Sequence, residues 1–130
     1  MRVYLASTAD ELQDFFNEKS LDVPEVYAPT DIYCSTHPEM DEEEIEYSLS
    51  LLAAEDSLEL TDDSSGAPLV IAFEVPAEFF GGFDEVTAAL LKPLEWKQVE
   101  AIFEVGDDAD DLTWFAPQEV EIRINDWLAK

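Results

Sequence analysis

The chain has 130 residues, with 32 Asp and Glu against 6 Lys and Arg and one His, for a formal charge of −26 at pH 7. That length suits one domain, and 47% apolar content with 12% aromatics is too much core material for a disordered acidic tail. Six bases cannot neutralise a row of phosphates or hold an anionic bilayer, which excludes direct nucleic-acid binding and attraction to a membrane surface.

The segment from Met1 to Glu11 is too briefly apolar, and too soon acidic, for a signal peptide. The longest uncharged apolar run, Ser64 to Phe73, falls well short of the roughly 20 residues of a membrane span. Cys34 is the single cysteine, so no intrachain disulfide is expected. These features point to a cytoplasmic protein.

In chain order, residues 2–6 read as a strand. Thr8 and Glu11 form a T-x-x-E box opening a helix with Leu12, Phe15 and Phe16 on one face, opposite Asp10, Asp14 and Glu18. Residues 20–38 carry Pro24, Pro29 and Pro38 and read as extended or loop chain, with room for a short strand at Val26 to Ala28. A second box, Thr36 to Glu39, is expected to open the clearest helix. There Ile45, Leu49, Leu52 and Ala53 make one buried stripe, and Glu39, Glu42, Glu43 and Glu46 recur on another face.

Asp62 to Gly66 reads as a polar turn, and Leu69 to Val75 as a buried strand stopped by Pro76. After Gly81-Gly82, Asp84 is placed to cap a short helix over 85–91 that Pro93 ends. Val99, Ala101, Phe103 and Val105 alternate like a half-buried strand, followed by a turn over 106–111 and a strand over 112–116. Val120, Ile122 and Ile124 alternate like a strand, but Val120, Ile124, Trp127 and Leu128 fit a helical stripe, and Pro117 suits a helix start. The helix is the favoured reading. The order implies a single α+β domain over 1–130, with a small sheet of about four to five short strands packed against three to four helices.

Three segments carry a resemblance. Arg2-Val3-Tyr4 with Thr8 is similar to an MRVY-x-P-A-T start, Glu42 to Tyr47 resembles a D-E-E-E-L-E-Y helix opening, and Leu112 to Val120 resembles L-x-W-Y-A-T-Q-E-I. Together they resemble a family of small actinobacterial proteins of unknown function. Ala6 stands where that family usually has Pro, and Pro117 where it has Thr. The resemblance implies a cytoplasmic α+β domain and brings no activity.

The acidity is the feature that bears on function. No Lys or Arg occurs between Ser20 and Leu91. Such a surface either only solubilises the protein or complements a basic partner. Glu39, Glu42, Glu43 and Glu46 are the candidate contact residues, with Asp107, Asp108, Asp110 and Asp111 behind them. Glutamates one helical turn apart stand about 5–6 Å apart at their roots, near phosphate spacing, so nucleic-acid mimicry is the sharper form of this idea. Acids in a first turn also complement the helix dipole without any partner.

Neither aspartate cluster is a calcium loop. Counting from Asp108 puts Leu112 and Thr113 where an EF-hand needs an oxygen ligand and Gly, and aligning Gly66 puts Ala72 where it needs Glu. Cys34 and His37 make at most half a zinc site. The plainer expectation is a partly buried thiol, with His37 in the first turn of the long helix. One His leaves little for a catalytic triad, and four glycines make no phosphate-binding loop. Arg2 and Arg123 are expected in structural ion pairs, and Trp96, Trp114 and Trp127 in the core or at its edge.

The leading reading is a non-enzymatic protein that binds a basic protein partner through its acidic face, with no cofactor. The alternatives are an enzyme holding Mg²⁺ or Mn²⁺ in a cleft of carboxylates, and a housekeeping domain whose acidity is background.

Overall fold

Leu69, Val70, Ile71, Ala72 and Phe73 are all fully buried, as an unbroken apolar run requires when both faces of its strand are covered. The computed structural model describes residues 1–61 and 66–130. Among the described residues the order is β1 (Arg2–Ser7), α1 (Ala9–Glu18), β2 (Ser20–Leu21), β3 (Glu25–Tyr27), α2 (Asp31–Thr36), α3 (Glu42–Leu60), β4 (Leu69–Glu74), β5 (Phe80–Phe83), β6 (Thr87–Leu90), β7 (Leu94–Glu95), β8 (Val99–Val105), β9 (Leu112–Phe115) and α4 (Val120–Leu128). Seven strands form one antiparallel sheet ordered β5-β6-β3-β1-β4-β8-β9, and β2 pairs with β7 in a separate ribbon. The α+β class stands, with a larger sheet than the four to five strands expected.

Side chains alternate across the sheet. Leu69, Ile71 and Phe73 of β4 join Val3 and Ile102 under α1 and α4, which contribute Leu12, Phe15, Val120, Ile124 and Trp127. Val70 and Ala72 join Tyr4 and Ala101 on the opposite face, under Ile45, Leu49, Ala53 and Ala54 of α3. β8 is buried on both faces rather than one. A register shift opposite Ala72 and Phe73 pairs Phe73 with Val99, which swings Val99 to the α1 side while Ala101 and Val105 stay under α3.

Several local expectations change. Thr36 closes α2 rather than opening α3; its hydroxyl donates to the Ile32 carbonyl at 2.8 Å. The box that opens α3 is Asp41 with Glu44: Asp41 Oδ1 accepts from the Glu44 N–H at 2.9 Å, and Glu44 Oε1 from the Asp41 N–H at 3.4 Å. Asp41→Ala should therefore cost about 1 kcal/mol, and Thr36→Ala well under that. Paired urea denaturation curves check the ranking, and equal losses would return the cap to Thr36. Residues 31–36 form a helix where a loop was expected, because Pro29 and Pro38 lie outside it and Thr30 caps it, accepting from the Tyr33 N–H at 3.1 Å.

The helix expected over 85–91 is strand β6, paired with β3 through Val26↔Ala88 and burying Ala88 completely. Pairing in a sheet outweighs the helix preference of Ala and Leu. Asp84 still caps locally, its Oδ1 accepting from the Glu85 N–H at 2.9 Å. The last segment is helical as favoured, entered by a 3₁₀ turn over Pro117–Glu119, and Ile122 points to solvent at 74% exposure as a strand reading would not allow. The polar turn read at Asp62 to Gly66 lies, except for Gly66, outside the described residues.

Thr8 caps α1, accepting from the Glu11 N–H at 3.2 Å. Burial raises the Glu11 carboxyl above its ordinary value, aided by the Asp14 charge and opposed by a hydrogen bond with Ser7. A raised folded-state value means that the native state holds the proton more tightly, so the penalty falls on the native state once pH rises through that window. Glu11→Gln should thus raise the melting temperature at pH 7, with the gain fading as pH falls through the ordinary carboxylate range near about 4.3. A gain of equal size at pH 7 and pH 4 would contradict this.

Candidate functional site

The acids of interest sort along α3, because its 19 residues span about 28 Å. Its N-terminal end lies over the Arg2 and Glu74 end of the sheet, which are paired across β1 and β4. Glu42, Glu43 and Glu46 occupy its first turns, and Glu39 sits in the link just before it; of the four, only Glu46 is partly covered. Asp107, Asp108, Asp110 and Asp111 form the β8–β9 hairpin turn, whose Ala109 packs in the same cluster as Leu58, near the other end of α3. Glu42 and Glu46 line one cleft beside the start of α3 and Glu43 lines another, Glu39 lines neither, and the four aspartates lie in a separate hairpin. In the hairpin the Gly106 N–H donates to the Asp111 carbonyl at 2.7 Å, and the Asp111 side chain lies where a Cβ on Gly106 would stand.

A cleft of about 380 Å³ opens beneath the first turns of α3. Its polar lining is Arg2, Asp41, Glu42, Glu46 and Glu74, and its apolar lining includes Met40 and Ile45. Arg2 does not make the ion pair expected of it: its Nε donates to the Tyr4 hydroxyl at 3.0 Å, and its guanidinium lies 5.8 Å from that ring's centre. Burial under α3 pushes the Tyr4 phenol above its ordinary value, with the neighbouring Arg2 pulling it down. Arg123 likewise stacks on Phe115, at 5.4 Å, instead of pairing with an acid. Three ion pairs occur among the described residues, Met1 amine–Glu74, Lys97–Glu95 and Lys130–Glu104, and none involves α3.

A second, more open groove of about 500 Å³ adjoins this cleft at Met40 and Asp41. It is lined by Met40, Asp41, Glu43, Glu44, Tyr47, Ser48 and Leu51. Sequence reasoning missed it, although the signal was present: Tyr47 and Leu51 are apolar residues one turn apart that fall off the stripe α3 buries. Tyr47 is 53% exposed. On the far side of the sheet-facing stripe, the Tyr27 hydroxyl donates to Asp56 Oδ2 and ties β3 to α3. Burial, then that hydrogen bond, raises the Tyr27 phenol far above its ordinary value.

The remaining candidates carry less. Cys34 is exposed rather than partly buried, and His37 ends α2 instead of entering α3. The His37 Nδ1 lies 3.0 Å from the Tyr33 carbonyl and its ring 4.5 Å from the Tyr33 ring, so it is held locally. Among the described residues no three His, Cys, Asp or Glu side chains converge as metal ligands. Trp127 is buried, its Nε1 donating to Glu104 at 3.1 Å, and Trp96 packs edge-on against Phe15 and Phe16. Trp114 departs from expectation at 57% exposure, because β9 is the edge strand of the sheet.

Among the described residues no helix is long and apolar enough to cross a membrane. No curated protein and no solved structure matches the chain. A family model described only as a family of unknown function does match, over residues 1–110, which takes in both grooves and stops ahead of β9 and α4. The chain therefore belongs to that family, DUF6912.

Proposed function

We propose that the protein is a non-enzymatic cytoplasmic domain that binds a basic protein partner through the N-terminal half of α3, with Glu39, Glu42, Glu43 and Glu46 as its contact residues. The observation that carries this reading is the absence of compensation: none of the ion pairs among the described residues reaches α3. Carboxylates without a direct ion-pair partner stay hydrated, repel one another and gain from an incoming positive surface, and the Arg2 guanidinium in the neighbouring cleft is engaged with Tyr4. The MRVY start and the Leu112 to Val120 segment further support kinship with small actinobacterial proteins.

The placement of the two acid sets separates two forms of the proposal. A compact basic partner needs the helix alone, whereas a nucleic-acid mimic would present both sets across the length of α3. The test is capture from lysate with stepwise salt elution, using wild type, a Glu39/Glu42/Glu43/Glu46→Lys variant and an Asp107/Asp108/Asp110/Asp111→Lys variant. A stoichiometric partner lost only by the helix variant is the expected result. Loss in both variants supports the mimic. Capture unchanged by the helix variant, or no salt-released partner at all, overturns the proposal and leaves the acidity as background.

A further inference from the structure

We infer that the groove floored by Met40, Tyr47 and Leu51 receives one amphipathic, Lys/Arg-rich helix of the partner, an inference that rests on the acidic-face reading and names the guest. Helix α3 spends one stripe on the sheet, burying Ile45, Leu49, Ala53 and Ala54. Tyr47 and Leu51 lie off that stripe, a turn apart, and line the groove instead. Tyr47 keeps half of its surface in water, although a phenol ring is a costly group to leave there. One wall is held in place from α2, where the Tyr33 hydroxyl donates to Ser48 Oγ at 2.8 Å.

Charge decides the occupant. The rim carries Asp41, Glu43 and Glu44 and no base. A second copy would bring −26 against −26, and nucleic acid or anionic lipid would meet the same repulsion. A basic guest with apolar anchors satisfies both rim and floor. From Glu43 to Leu51 α3 rises about 12 Å, enough for roughly two turns of a guest helix with anchors at i, i+3 or i+4, and i+7. Ile122, exposed at 74% between Glu121 and Arg123, lines neither of the two grooves along α3 and serves as the comparison.

Two synthetic Leu/Lys peptides of about 14 residues and identical composition test it, one with leucines at helical spacing and one with them scattered. Fluorescence anisotropy against the full chain in about 0.15 M salt should show the patterned peptide binding about tenfold tighter. Tyr47→Ser with Leu51→Ser should erase that advantage while leaving the scattered peptide's affinity unchanged, and Ile122→Ser should preserve it. Circular dichroism of each variant confirms that α3 is retained. Equal binding of the two peptides to wild type, or an advantage that survives the double variant, overturns the groove and leaves the charge reading standing. Failure of both peptides to bind overturns the acidic face itself. A wild-type dimer in sedimentation that Tyr47→Ser dissolves would assign the groove to self-association and also overturn the inference.

Discussion

Phe73→Ala is expected to lower the unfolding free energy by about 3–5 kcal/mol, a large part of the 5–15 kcal/mol that holds a domain of this kind together. Phe73 has no exposed surface and sits in β4, which lies between β1 and β8. Its ring lies 5.9 Å from that of Phe15, which in turn meets Trp96 edge-on at 5.1 Å. The truncation therefore removes an aromatic contact through which Phe15 of α1, and Trp96 behind it, pack on the sheet. The neighbours cannot collapse into the space, since Phe15 is fixed in a helix and Phe73 in the sheet. A melting-temperature loss of about 10–20 °C is the expected size. The near-ultraviolet signal of Trp96 should weaken in the native state, while exposed Trp114 contributes little to it. Phe83→Ala is the control: Phe83 is 52% exposed on an edge strand, and its loss should stay within about 1 kcal/mol. Equal losses for the two phenylalanines would mean that β4 is not the centre of the core.

The parts of this fold legible in the sequence are those where one physical requirement dominates. The run from Leu69 to Phe73 has no polar residue because both of its faces are covered, and it reads as a buried strand at sight. The stripe of Ile45, Leu49 and Ala53 repeats with the helical turn because α3 rests on the sheet along its length. Legibility fails where neighbours distant in sequence decide. Thr87 to Leu90 has helix-forming residues and a capping aspartate, yet Glu25–Tyr27 lies beside it and pairs with it. Thr36 and Asp41 each precede a glutamate by three residues, and only tertiary placement decides which one caps α3. Short edge strands such as β5, with Gly81 and Gly82 inside it, lack any alternation to read. At the candidate site the acids were legible from composition. The apolar floor was signalled only by spacing, since Tyr47 and Leu51 fall off the buried stripe, and what that spacing meant waited on seeing which side of the helix the sheet uses.

Charge leads to the second large effect, a stability that rises with salt. At about 0.01 M the Debye length is about 30 Å, longer than the expected radius of gyration of about 14 Å, so every carboxylate repels every other. At about 1 M it falls to about 3 Å and only direct neighbours interact. Unfolding spreads a charge of −26 over a larger volume, so screening relieves the native state more than the unfolded one. Unfolding free energy should increase by an amount on the order of several kcal/mol across this range, with NaCl and KCl equivalent. Within α3 the effect is uneven. Glu42, Glu43 and Glu44 sit in the first turn, where the helix dipole offsets part of their repulsion. Glu59 sits in the last turn, where dipole and net charge both oppose it and no base is near in the helix. Glu59→Lys should therefore stabilise the fold by about 0.5–1 kcal/mol at low salt and by almost nothing at 1 M. Binding of a basic partner follows the opposite slope, because the salt that relieves the free protein also screens its attraction to the partner. Denaturation and binding titrations over one salt series separate these: stability rising while affinity falls assigns both to the same uncompensated carboxylates. A stability independent of salt would show that the acids are spaced too widely to repel, and would leave them little attraction to offer a partner.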